Sequence, residues 1–129
     1  MVDLALKVLR EPEVPEQQVG SRVREYLSSL SHWEYISLLK EAFEDKRDER
    51  MERMRLLREL GFTPREVYRY SRCRLNTPSM RYFIARRALL KKRRGLTAGY
   101  TFLDLMRMED EVVGDMSTEE MIKELESGR

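Results

Sequence analysis

Helix-start signals recur along the whole chain and constrain its fold more than any other feature. A serine or threonine precedes most apolar stretches, followed by an acidic residue three positions later or by a proline, as in Thr63-Pro64-Arg65-Glu66. Between these signals, apolar residues repeat at intervals of three and four, which is the period of an α-helix. Further starts are predicted at Ser21, Ser31, Thr77, Thr101 and Ser117. The sequence therefore predicts an all-α fold.

The 129 residues are enough for one domain, and we expect a compact bundle of about five to six helices. Residues 1–18 are predicted to form an N-terminal arm and linker, because a short amphipathic helix is followed by two prolines that disfavour helix. Residues 19–129 are predicted to form a single helical domain. Within that domain, residues 62–95 form a basic helical hairpin and residues 101–126 form acidic C-terminal helices. A long helix ends near Gly61, but its middle is poor in apolar residues, which leaves its continuity open.

Charge is distributed very unevenly, although the net charge is only +2. Residues 62–103 hold eleven cations against the single acid Glu66, whereas residues 1–61 carry a net −2 and residues 104–129 a net −6. A basic block of this kind is typical of a polyanion-binding surface, because neutralising phosphates releases condensed counterions. Nine of the eleven cations are arginines, whose planar, forked donors suit phosphate. The sequence therefore predicts nucleic-acid binding by residues 62–103.

The predicted contacts are these cations and two tyrosines that lie among them. Arg65, Arg69 and Arg72 recur at intervals of four and three, which places them in one stripe of a helix. Arg86 and Arg93 are seven positions apart and share a face of the next helix. Tyrosines offer hydroxyl groups to phosphates or rings for stacking. The full set is Arg65, Arg69, Arg72, Arg74, Arg81, Arg86, Arg87, Lys91, Lys92, Arg93, Arg94, Tyr68 and Tyr82.

A helix-turn-helix regulator that binds specific operators as a dimer is an alternative interpretation of the same segment. Residues 54–94 can be drawn as helix, turn, helix, turn, helix, with residues 78–94 as the recognition helix. The residues presented to a groove would be Ser79, Arg81, Tyr82 and Arg86. A second alternative is a helical protein-interaction subunit without nucleic acid, in which the cations pair with the acidic C-terminal segment or with a partner.

The residues give little support to an enzyme. His32 and Cys73 are the only histidine and cysteine, so neither a zinc site nor an internal disulfide can be assembled, and Cys73 is predicted to be a packed thiol. No glycine-rich phosphate loop and no calcium loop occur. We therefore expect no catalytic residue, no metal, no cofactor and no small-molecule substrate. No apolar run is long enough to cross a membrane, and no secretory signal is recognisable, so we expect a location in the cytoplasm or inside a virion.

The chain resembles the helical coat proteins of filamentous viruses of hyperthermophilic archaea, whose subunits pair and wrap double-stranded DNA. The resemblance lies in the size, the helical content, the proline-containing N-terminal link, the basic stretch at residues 86–94 and the segment Leu60-Gly61-Phe62-Thr63-Pro64. The excess of arginine over lysine and the scarcity of asparagine and glutamine are also typical of thermophiles. The resemblance implies a dimeric building block, sequence-independent DNA binding and helical polymerisation.

These observations lead to one functional expectation. We expect a non-enzymatic protein that binds and packages double-stranded DNA with little regard to sequence, as a viral coat or architectural protein. It would act as an oligomer with itself or with a related helical subunit. RNA offers the same phosphates, and the sequence does not separate the two nucleic acids.

Overall fold

A computed structural model describes residues 2–15, 28–95 and 97–127. Within these ranges the chain forms six α-helices and no strand, which confirms the predicted all-α class. The helices are α1 (Val2–Leu9), α2 (His32–Glu59), α3 (Pro64–Tyr70), α4 (Pro78–Arg94), α5 (Phe102–Val112) and α6 (Thr118–Glu126). The helix predicted after Ser21 and the last residues of the predicted linker lie outside these ranges.

The capping contacts confirm the helix starts predicted at Ser31, Thr63, Thr77, Thr101 and Ser117. The Thr63 hydroxyl oxygen accepts a hydrogen bond from the Glu66 amide at 3.4 Å, and the Glu66 carboxylate accepts one from the Thr63 amide at 3.0 Å. Thr101 begins α5 with the same reciprocal pattern. Gly61 has φ +93°, a left-handed conformation that costs glycine little and lets the chain turn sharply after α2. Local sequence chemistry thus sets the boundaries of the helices.

Helix α4 lies at the centre of the core. It packs against α1, α5 and α6, and its apolar face is fully buried through Ile84, Leu89 and Leu90. The C-terminal part of α2 adds Leu57 to the same core. Beside it, Tyr70 of α3 stacks on Phe83 of α4, with the ring centroids 5.2 Å apart. The helix predicted to face a nucleic acid is therefore the most enclosed helix of the bundle.

Helix α1 is part of the core, which corrects the prediction of an N-terminal arm. Its buried residues are Ala5, Leu6, Val8 and Leu9. The extended segment after it is held to the body as well, because the Val14 amide donates to the Asn76 carbonyl at 3.1 Å and the Asn76 side chain donates to the Pro12 carbonyl at 2.7 Å. The amphipathic stripe of α1 was visible in the sequence, but its partners in α4 and α6 were not.

Helix α2 is continuous over 28 residues, which resolves the question that its polar middle left open. At 1.5 Å per residue it is about 42 Å long. Ion pairs one turn apart support the polar stretch: Arg55 contacts Glu52 and Glu59. The C-terminal part of α2 contributes to the core through Leu57, and Leu60 follows it there, whereas Trp33 near the start of the helix is 78% exposed.

Candidate nucleic-acid interface

The structure divides the predicted basic block into two groups. The arginines of α4 form ion pairs with acidic residues of α3, α5 and α6 or of the extended segment after α1. The cations of α3 and of the turn after it point to solvent. The −6 and +10 segments therefore neutralise each other in part within one chain, and the second group is the one that has no carboxylate partners among the described residues.

Arg87 is the centre of a buried charge network. It is 1% exposed, and its guanidinium donates to Glu66 and to Glu109, both at 2.7 Å. The guanidinium also lies over the Phe62 ring, 4.6 Å from its centroid. Burial raises the pKa of Glu109, although Arg87 and Arg86 act to lower it. This network is structural, and it places the predicted contact Arg87 out of reach of DNA.

Arg86 joins the same network and is also buried. It contacts Glu109 at 3.3 Å and Asp110, and it donates to the Gly114 carbonyl at 2.7 Å. The predicted contact Tyr82 serves this arginine, because its hydroxyl oxygen accepts a hydrogen bond from Arg86 at 3.1 Å. Arg86 thus fastens α4 to α5 and to the turn that follows α5, and Tyr82 helps to hold the guanidinium in place.

The remaining cations of α4 hold the termini of neighbouring helices. Arg93 forms a forked contact with Glu124 of α6, 2.8 Å from Nε, which raises the pKa of Arg93 and lowers that of Glu124. Lys91 is half-buried beside Gly61, and its pKa is lowered by burial and by the charge of Arg87. The other pairs are Arg81 with Glu13 and Glu119, Lys92 with the Glu124 carbonyl, and Arg94 with Glu111 at 4.0 Å.

The helix-turn-helix interpretation does not fit this arrangement. A recognition helix needs one face open to a groove, but α4 is enclosed on its apolar face and uses its polar side for contacts within the chain. Of the four residues proposed to read bases, Arg86 is buried, Arg81 is paired and Tyr82 is half-buried, whereas Ser79 is exposed. Three of the four are therefore engaged within the fold.

A compact cationic surface remains on α3 and the turn after it. Arg65, Arg69, Arg72 and Arg74 are exposed, and none of them forms an ion pair with a carboxylate in the ranges that the structure covers. Tyr68 lies among them and is 59% exposed. The Tyr68 hydroxyl accepts a hydrogen bond from Arg72 at 2.9 Å. We refer to these five residues as the α3 arginine surface.

Two arginines of α2 extend this surface and were missed by the sequence analysis. Arg50 lies over the Tyr68 ring, 5.4 Å from its centroid, and donates to the Ser71 hydroxyl at 3.1 Å. Arg53 donates to the Ser71 carbonyl at 2.8 Å and, unlike the arginines of α3, is also paired with a carboxylate, that of Glu49 at 3.8 Å. Their spacing of three residues indicated that Arg50 and Arg53 share one face of a helix. That this face lies against α3 became visible only in the structure, where α2 is continuous. Cys73 is exposed beside this surface, which corrects the prediction of a packed thiol.

Comparisons with protein-family models, with curated proteins and with solved structures find no match. None of the described helices is both long and apolar enough to cross a membrane. The function of this surface is therefore inferred from its geometry, without the help of a related protein.

Proposed function

We propose that this protein binds double-stranded DNA through the α3 arginine surface, with little regard to sequence, and packages it as an oligomer of helical subunits. The observation that carries the proposal is the group of four exposed arginines on α3 and the turn after it, which have no carboxylate partners in the described part of the chain; Arg72 contacts Tyr68, and Arg65 lies over the Phe102 ring. Most cations of α4 are paired within the chain, whereas the charges of these four arginines are not neutralised by a carboxylate and can bind an external anion. The proposed role is structural, as in a viral coat or an architectural protein, with no enzymatic step.

The composition of the surface favours phosphates over bases as its targets. Guanidinium groups bind phosphate oxygens in a forked geometry, and such contacts fix position without reading sequence. Helix α3 has only seven residues, and Tyr68 is already engaged by Arg50 and Arg72. This surface therefore supports a sequence-tolerant electrostatic grip.

The number of free arginines sets the expected salt dependence. If the four arginines each neutralise one phosphate, the logarithm of the binding constant falls with the logarithm of salt concentration with a slope of about −4. The test is a titration of the protein onto long linear double-stranded DNA of two unrelated sequences at several salt concentrations. The titration also measures the base pairs occupied per subunit at saturation, and a fixed small footprint supports packaging.

Matched variants assign the binding to this surface. Arg69→Ala with Arg72→Ala is expected to flatten the slope by about two, equally for both DNA sequences. The control is Arg55→Ala, because Arg55 is similarly exposed but already paired with Glu52 and Glu59. An unchanged slope in the double variant, or an equal loss in the control, contradicts the proposal. Equal affinity for double-stranded RNA would widen the target to both nucleic acids.

A further inference from the structure

Trp33 is a large apolar side chain that the fold leaves uncovered. It is the only tryptophan of the chain, lies one residue after the start of α2 and is 78% exposed. Tryptophan is mostly buried in folded proteins, and when it is exposed it is often an anchor of an interface. Glu34 beside it is exposed as well and adds a negative charge to this end of the helix.

An open apolar cavity of about 660 Å³ lies near the other end of α2. Its walls include Leu60, Phe62, Ala88 and Ala98, so that most of its lining is hydrocarbon. Cavities of this volume are in the range that accepts ligands larger than an indole ring. Its charged lining consists of the three cations Arg58, Lys91 and Lys92 and the one acid Glu59. The cavity thus offers an apolar interior and a border on which cations outnumber acids.

These two features are complementary but lie too far apart to meet within one molecule. Trp33 and Arg58 are separated by 25 residues of one continuous helix, which corresponds to about 38 Å. Because α2 is unbroken, it cannot fold back to place the indole in the cavity of its own chain. The cavity of a second copy is free of this constraint. There the indole would be buried, a lysine ammonium would lie near the ring, and Glu34 would meet a border on which cations outnumber acids.

We propose that Trp33 of one copy inserts into the cavity beside Phe62 and Lys91 of the next copy. The two surfaces in this contact differ, so the contact is heterologous, and each added copy presents a new tryptophan and a new cavity. The product is an open-ended, head-to-tail assembly. This inference does not rest on the proposed DNA binding, because the contact involves none of the α3 arginine surface and forms without nucleic acid.

The sole tryptophan makes the contact directly observable. We expect the fluorescence emission of Trp33 to shift to shorter wavelength as protein concentration rises, in parallel with a growth in mass measured by light scattering. Trp33→Ala is expected to weaken association at least about 30-fold, as for an aromatic anchor of an interface. The control is Leu103→Ala, which removes another side chain of high exposure that does not line the cavity and is expected to leave association unchanged.

A second variant tests the cavity from the other side. Ala98→Phe places a ring at the border of the cavity, at an exposed position where the substitution leaves the core intact. This variant is expected to be monomeric alone, as is Trp33→Ala. Mixed together, the two are expected to give a one-to-one dimer and nothing larger, because each variant keeps only one functional surface.

Three results would overturn the proposal. The first is a wild-type protein that stays monomeric, with a solvent-exposed tryptophan spectrum at every concentration. The second is a mixture of the two variants that assembles beyond the dimer. The third is an Ala98→Phe variant that loses binding of an apolar anionic dye while its self-association is unchanged, which would make the cavity a small-ligand site.

Discussion

The buried charge network around Arg87 makes the fold sensitive to the loss of one guanidinium. Arg87→Met keeps the approximate length of the side chain but removes the charge that pairs with Glu66 and Glu109, which are both buried. Arg86 then remains close to Glu109, and Glu66 keeps no paired cation within the ranges that the structure describes. Removing one partner of a buried ion pair costs about 3–5 kcal/mol. The contact with the Phe62 ring and the bond to the Gly61 carbonyl are lost as well, so we expect the upper part of that range. The melting temperature should fall by about 10–20 °C.

The loss of stability in Arg87→Met is expected to be smaller at acidic pH than at neutral pH. Burial already raises the pKa of Glu109, and removing Arg87 takes away a charge that lowers it. The folded variant then holds a proton that the unfolded chain releases, so its stability rises as pH falls through the raised pKa of Glu109. Urea denaturation followed by circular dichroism at neutral pH and at about pH 5 measures this, and the deficit relative to wild type should narrow in acid.

Two comparisons make the experiment decisive. Arg94→Met removes an exposed arginine at 4.0 Å from Glu111 and should cost less than about 1 kcal/mol. Adding Glu66→Gln and Glu109→Gln to Arg87→Met should recover part of the lost stability, because no unpaired charge then remains in the core. The reasoning is refuted if Arg87→Met costs no more than Arg94→Met, or if its deficit grows in acid.

Three further predictions concern the local structure. Thr63→Ala removes both the cap of α3 and a hydrogen bond to Glu66, and should cost about 1–2 kcal/mol in urea denaturation. Gly61→Ala forces a side chain into φ +93° and should destabilise the protein by more than about 1 kcal/mol, measured as a lower melting temperature. Deleting residues 2–9 uncovers the α4 core and should abolish cooperative unfolding, whereas removal of a mere arm would leave the transition unchanged.

The helix starts could be predicted because their causes are local. Thr63, Thr77 and Thr101 each bond to an amide three residues later, and the same short motifs are visible in the sequence. The terminating glycines follow from the cost of a left-handed conformation in other residues. The all-α class rests on the same short-range rules and is confirmed for the same reason.

The burial of Arg86 and Arg87 could not be predicted in this way. A helical pattern places the two arginines on a helix but does not say which carboxylates, many residues away, will meet them. Charged side chains are rarely buried, so composition alone assigns them to the surface. The pairing of Arg87 with Glu66 and Glu109 depends on how α3 and α5 pack on α4, and that arrangement is set by the whole core. The sequence therefore identified the cations, but it did not indicate which of them form ion pairs within the chain and which remain exposed without a carboxylate partner.

The packing of α1 on α6 has a consequence for how this protein is made. Nearly the whole described chain lies between these two helices, so the apolar stripe of α1 is covered only in part, by α4, until α6 leaves the ribosome. In that interval α4 has also emerged without the carboxylates of Glu109 and Glu124. The growing chain is therefore far more cationic on its surface than the finished molecule. Closing of the core withdraws one group of arginines from any polyanion in the cell and leaves the group on α3 outside.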